Sequence, residues 1–315
     1  MPLSARAIHS FTLVAIAATV GGCTPIRAAT LPVPATHGAL VIAGGGPRPP
    51  EIRQRFVELA GGAGRANVVV FAMASEDGAV GGEEEAVALR ALGIVAENLY
   101  LTREEANTDS VVARVGKATG IWFGGGDQVR LTRVLKDTRA EKAMYERFRA
   151  GATFGGTSAG AAVMSRLMLT GDERKPGGDR PDTTQGWMTV ARDNVITVDG
   201  FGFVQSAIVD QHFVRRKRNN RLLSLVLEHP ALIGVGIDES TALVIDGHDQ
   251  WSVIGTSVAV IFDARRAAIT PTASPALGAS GITRSVLPAG SSYDPATGRA
   301  SLPGAPASGP GGDRR

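Results

Sequence analysis

Apolar residues in this chain fall into short Val/Ile/Ala runs bounded by glycine, separated by stretches with apolar positions at helical spacing. Residues 39–43, 67–72, 94–101 and 120–123 read as strands, and 51–59, 83–92, 104–117, 128–136 and 139–149 as helices. The strand runs are apolar at successive positions, the pattern of strands buried on both faces. Such β-α alternation predicts an α/β fold built on a doubly wound, mostly parallel sheet. In such sheets ligands gather outside the carboxyl ends of the strands, here marked by Gly44-Gly45-Gly46 and Gly124-Gly125-Gly126. Further strands are expected at 206–210, 233–237, 241–246, 252–256 and 258–262, the last four close enough together for antiparallel pairing. A polar insertion occupies 171–187, and a loop of that length in a compact domain is usually functional or mobile. After about residue 266 the pattern fades. A single domain over 38–275 is therefore expected, followed by a low-complexity, largely disordered tail at 276–315 that ends in Pro/Gly-rich sequence.

The first residues read as an address. A short polar lead with Arg6 precedes the apolar stretch 11–22, which is too short for an ordinary membrane-spanning helix. Cys23 follows directly after Val20-Gly21-Gly22. Residues 1–23 thus read as a signal segment with a lipobox-like cysteine that would carry a lipid anchor. A plain secretory peptide cut near Ala28-Ala29 is the other reading. Both predict an exported protein, periplasmic or extracellular, with 24–37 as a Pro/Ala linker.

Composition narrows the chemistry. The 315 residues are 43% hydrophobic and 20% charged, an ordinary globular balance, and the net charge is only +3. No nucleic-acid partner is implied, and a membrane only through the N-terminal anchor. Cys23 is the sole cysteine, so the folded domain has neither an internal disulfide nor a thiol nucleophile. No metal-ligand spacing or nucleotide fingerprint appears, and no cofactor is expected.

Residues 153–163 read Thr-Phe-Gly-Gly-Thr-Ser-Ala-Gly-Ala-Ala-Val, which contains G-x-S-x-G at 156–160. Small neighbours let the chain turn sharply from strand to helix and leave Ser158 exposed as a nucleophile. The Ala159 amide at the helix start would then face a developing oxyanion. A passive serine cap on a Gly/Ala-rich helix fits the same letters. Ser158 would need a base. His212 ends an apolar run and opens a helix, whereas His37, His229 and His248 lie in a linker, a helix end and a polar turn. On its own, His212 reads as an inert helix residue; the segment around it favours a catalytic role. Arg215, Arg216, Lys217, Arg218 and Arg221 follow it, either as a solvated face or as a grip for carboxylates. Another strand end bears Asp238 and Glu239, and Glu239 is placed to orient an imidazole.

Taken together, four motifs resemble the cyanophycinases of the S51 serine peptidase family. They are Gly125-Gly126-Asp127-Gln128, Gly156-Thr157-Ser158-Ala159-Gly160-Ala161, Asp210-Gln211-His212-Phe213 with Arg216, Arg218 and Arg221, and Gly236-Ile237-Asp238-Glu239. They lie in the family's order and cover about residues 38–262. The resemblance implies a three-layer sandwich akin to class I glutamine amidotransferases and flavodoxin, usually a homodimer. It also implies a Ser158–His212–Glu239 triad, with Ala159 and Gly125 at the oxyanion. Gln128, Asp210, Gln211, Arg216, Arg218 and Arg221 correspond to substrate-site positions. The implied substrate is cyanophycin, poly-aspartate with arginine on its side-chain carboxyls, cleaved to β-Asp-Arg dipeptides. A shorter aspartyl-arginine or other Asp-containing peptide is the alternative. Such a polymer carries carboxylates for the arginine cluster and guanidinium groups for acids such as Glu83, Glu84, Glu85 or Asp182.

Overall fold

The computed structural model describes residues 38–173, 190–274 and 276–304. The signal, Cys23 and linker readings, and residues 174–187 of the polar insertion, lie outside the described residues.

In chain order the first half holds β1 (Leu40–Ala43), α1 (Pro50–Leu59), β2 (Asn67–Phe71), α2 (Gly78–Arg90), β3 (Val95–Asn98), α3 (Asp109–Lys117), β4 (Gly120–Phe123), α4 (Gln128–Leu135), α5 (Arg139–Arg149), β5 (Thr153–Thr157) and α6 (Ala159–Ala162). There follow β6 (Leu167–Glu173), β7 (Val195–Asp199), β8 (Ala207–Gln211), α7 (Asn219–Glu228), β9 (Ile233–Ile237), β10 (Thr241–Ile245), β11 (Trp251–Gly255) and β12 (Val258–Asp263). Short strands complete the described chain: β13 (Ala268–Ile269), β14 (Ala279–Ser280), β15 (Thr283–Pro288), β16 (Ser292–Asp294) and β17 (Arg299–Ser301).

The central sheet has nine strands in the order β17-β16-β11-β10-β1-β5-β4-β2-β3. From β1 to β3 every pairing is parallel, and from β1 out to β17 every pairing is antiparallel. A second sheet runs β15-β12-β9-β8, with β8 and β9 parallel. The expected strands at 206–210 and 233–237 therefore leave the main sheet and build their own.

The alternation along β1 and β2 explains the layers. Leu40, Ile42, Val69 and Phe71 face a core shared with α3, α5, α6 and the inner side of the second sheet. Val41, Ala43, Val68 and Val70 face the opposite core, against α1 and α2. Successive side chains point to opposite faces, so a continuously apolar strand needs a cover on each. The second sheet is also two-sided: Val209, Val235 and Ile261 face the large core, while Ile208, Val260 and Phe262 pack on α7. On β5, Phe154 meets Phe148 edge-to-face and Phe203 at a tilt, at ring separations of 5.2 and 4.5 Å. Each such pair adds about 0.5–1.5 kcal/mol beyond its buried area.

Two expectations need correction. Residues 276–304 are not a disordered tail: β15 pairs with β12, and β16 with β11. These outer strands bury little more than Leu287 and Tyr293, at 1% and 2% exposure, so their hydrophobic signal is faint. Helix α2 starts at Gly78, five residues before the expected 83, through a Gly81-Gly82 pair that reads as a breaker. A Cβ on Gly82 would stand 2.3 Å from Asn98 Oδ1, so glycine here serves close helix–strand packing. Within the polar insertion, residues 171–173 belong to β6, which pairs antiparallel with β7.

Candidate active site

Strand register brings the site together. On the central sheet Ala43 pairs with Thr157 on one side and Ala242 on the other, while on the second sheet Gln211 pairs with Ile237. The residues one or two steps past these pairs are Gly44, Ser158, His212 and Glu239. The His212 amide donates to the Gly44 carbonyl at 2.7 Å and thereby joins the two sheets where these side chains meet.

Ser158 sits at φ 55°, ψ −112°, a backbone region that non-glycine residues rarely occupy. This is the strand-to-helix turn expected of a nucleophile. Its neighbours have no alternative to glycine. A Cβ on Gly156 would lie 2.4 Å from the Gly160 carbonyl oxygen, and one on Gly160 would lie 2.1 Å from that of Phe123. His212 is also at positive φ, 47°, and is 7% exposed.

The His212 ring bridges the other two side chains. Nε2 lies 2.9 Å from Ser158 Oγ, and Nδ1 lies 2.7 Å from Glu239 Oε1. A carboxylate only accepts, so Nδ1 carries the proton and Nε2 is free to accept the serine hydroxyl. Burial lowers the imidazole pKa below its ordinary value. The Glu239 hydrogen bond opposes that shift, and the charges of Arg216 and Arg218 reinforce it. The ring is thus neutral, and able to act as a base, at neutral pH.

A glycine loop that the sequence presented only as a strand terminator forms the floor. The Gly44 amide donates to Thr241 O and the Ser240 amide to Gly45 O, both at 2.9 Å. Gly45 (φ 108°) lies under the imidazole and Gly46 (φ 68°) under Glu239; Cβ atoms there would stand 2.4 Å from the His212 ring and 2.9 Å from the Glu239 carboxylate. Gly125 flanks Ser158, with room for a Cβ 3.5 Å from that of the serine.

Several expected substrate contacts have internal partners instead. Asp210 and Arg221 form an ion pair at 1% and 2% exposure. Arg218 donates to Gln211 through both its carbonyl, at 2.7 Å, and its side-chain oxygen, at 2.6 Å. Burial and the nearby Arg221 bring Arg218 down to about 10. The Gln128 amide donates to Leu169 O and Thr170 O at 2.8 and 2.6 Å. Gln128, Asp210, Gln211, Arg218 and Arg221 are thus all engaged within the protein, as buried polar groups must be paired. Arg216 remains exposed, with Arg215 and Lys217 beside it. Of the acids considered for guanidinium groups, Glu85 is held by Arg48 and Arg53, and Glu83 pairs with Arg90. Asp182 lies outside the described residues. Among the described residues no three His, Cys, Asp or Glu side chains are grouped to hold a metal, and no helix is long and apolar enough to cross a membrane.

An α/β sandwich with a serine on a strained strand-to-helix turn, facing a histidine and a glutamate, defines the class as a serine-type hydrolase. The sequence profile of peptidase family S51 matches residues 39–253, and the chain belongs to that family. It is 34% identical over 234 residues to the cyanophycinase of Nostoc sp., covering 73% of each chain. It is likewise 34% identical over 223 residues to the cyanophycinase of Geminocystis herdmanii, covering 70% of this chain and 77% of that one. The crystal structure of a peptidase from an acI-B1 Actinobacterium shares the fold, with a TM-score of 0.59 at 24% identity, over 82% of this chain and 97% of that one.

Proposed function

We propose that this protein is an exported cyanophycinase-type peptidase that cleaves cyanophycin to β-Asp-Arg dipeptides through an acyl-enzyme. The observation that carries the reading is the hydrogen-bonded chain Ser158 Oγ–His212–Glu239, at 2.9 and 2.7 Å. The identity to proteins named cyanophycinase supports the choice of substrate.

In this mechanism His212 Nε2 takes the hydroxyl proton as Ser158 Oγ attacks the scissile carbonyl. Glu239 holds the tautomer and stabilises the imidazolium that forms. The amides of Ala159 and Gly125 stabilise the oxyanion, at about 2.7–4 kcal/mol per donor in comparable sites. The imidazolium then protonates the leaving amine, and water, deprotonated by His212, releases the acyl group. Arg215, Arg216 and Lys217, exposed beside the histidine, attract the carboxylates of the polymer. Incubating the purified protein with cyanophycin tests this reading. β-Asp-Arg should accumulate with the wild type and not with a folded Ser158→Ala variant. Product release by that variant would refute it.

One observation favours a second reading. Because Arg218 and Arg221 are engaged inside the protein, the exposed cationic grip for carboxylates is shorter than the sequence implied. A short Asp-containing peptide suits such a site. The ratio of kcat/KM on the polymer to that on an α-aspartyl dipeptide separates the two readings.

Export rests on the apolar stretch 11–22 and Cys23. A Cys23→Ser variant should lose both radiolabelled-lipid incorporation and membrane fractionation. Retention of both would exclude lipidation at that residue. A homodimer, as the family resemblance implies, should appear in light scattering as twice the mass of the processed chain, and a single-chain mass would exclude it.

A further inference from the structure

We propose that Asp238 is a positioning residue for the active-site histidine. This inference rests on the Ser158–His212–Glu239 reading and extends it.

Asp238 stands between the last residue of β9 and Glu239 and is 8% exposed. Its carboxylate is taken up by three donors, none of them the imidazole. Oδ1 accepts two successive amides, Val214 N at 3.0 Å and Arg215 N at 2.9 Å. Oδ2 accepts the Ser257 hydroxyl at 2.8 Å. The preceding amide, Phe213 N, donates to the Ile237 carbonyl at 3.2 Å. Three consecutive amides after His212 are thus tied to the segment that also presents Glu239.

The need for this clamp comes from the backbone. His212 is held at φ 47°, a conformation that persists only where its surroundings over-determine it. Upstream, the His212 amide is fixed to Gly44 O at 2.7 Å. Downstream, Asp238 fixes the turn. A charged acceptor on two amides is roughly twice as strong as a neutral one, and a buried carboxylate with three donors is well satisfied. The same short segment therefore supplies the carboxylate that orients the ring and the one that anchors its main chain. Glu239 touches the reacting group, and Asp238 acts only through His212.

The test is the second-order rate of Ser158 labelling by a fluorophosphonate, followed together with kcat, KM and Tm. Asp238→Ala leaves two amides without their acceptor. It should slow labelling and kcat by ~10–100-fold, since sub-ångström to 1 Å misplacement costs that much, with KM within about threefold. Asp238→Asn keeps one acceptor oxygen of the same shape but loses the charge and the second acceptor, so its labelling should fall by about three- to tenfold, less than for Asp238→Ala. Labelling of Asp238→Ala at the wild-type rate, or a loss expressed in KM alone, overturns the inference. If Asp238→Ala does not fold, Asp238→Asn decides. A lowered labelling rate at wild-type Tm upholds the proposal, and an unchanged rate rejects it. Failure of the wild type to label at Ser158 would instead overturn the triad, and this inference with it.

Discussion

Replacing Gly45 by alanine probes the site at a residue that carries no chemistry. The new Cβ would stand 2.4 Å from both Cε1 and Nε2 of His212. Ordinary carbon contacts lie near about 3.5 Å, so the ring must retreat by roughly 1 Å. Nε2 is 2.9 Å from Ser158 Oγ, and that retreat takes the pair past the hydrogen-bond limit of about 3.2 Å. A displacement of this size costs about 100-fold in rate. The substitution also places a side chain at φ 108°, a strain of about 1–3 kcal/mol that lowers Tm by several degrees. Gly64→Ala separates the two effects. Gly64 has φ 75° but nothing within 4 Å of its would-be Cβ, so it should lose stability and keep kcat. The assay is the initial rate of β-Asp-Arg release alongside a thermal melt for each variant. A Gly45→Ala enzyme that turns over at the wild-type rate would refute the argument that this glycine sets the position of the imidazole.

Other predictions follow from the same geometry. Glu239→Gln can still accept from His212 Nδ1 but supplies no charge for the imidazolium, and kcat should fall by ~10²–10⁴-fold with the fold intact; a loss below tenfold would remove Glu239 from the triad. Because His212 is depressed by burial, with added push from Arg216 and Arg218, its neutral form persists below the ordinary value of 6.5. The acid limb of kcat/KM should accordingly fall below pH 6.5, and Arg216→Gln should move it upward; a limb above 6.5, or one that Arg216→Gln moves down, contradicts this. Asp210→Ala breaks the buried ion pair with Arg221, at 2% exposure, and should destabilise by about 3–5 kcal/mol, or more than about 6 °C in Tm. A variant with normal Tm and raised KM would return Asp210 to the role of substrate ligand.

What could be read from the chain depended on whether the signal was local. The strands β1, β2 and β4 announce themselves as Val/Ile/Phe-rich runs followed by small residues, and the Gly-rich β5 with its Ser158 turn is local chemistry. His212 and Glu239 were legible because motif order tied them to Ser158, although 54 residues separate the serine from the histidine. The split into two sheets was not legible, since β8 and β9 carry the same apolar signature wherever they pair. The burial of Arg221 was masked by the basic run it follows. The signal against a surface role was its helical face, where Ser224 and Leu225, three and four residues on, are both buried. Asp210 gave a similar hint by sitting inside a strand buried at all five positions. Gly45 offered none, because its constraint is the arrival of a ring from residue 212.

The central claim is that Ser158 becomes a nucleophile because His212 takes its proton. Peptide mapping by mass spectrometry after fluorophosphonate treatment, on the wild type and on a folded His212→Ala variant, addresses it directly. The account predicts one adduct, on Ser158, in the wild type and almost none in the variant. An adduct on another residue, or equal modification of Ser158 without the imidazole, would contradict it.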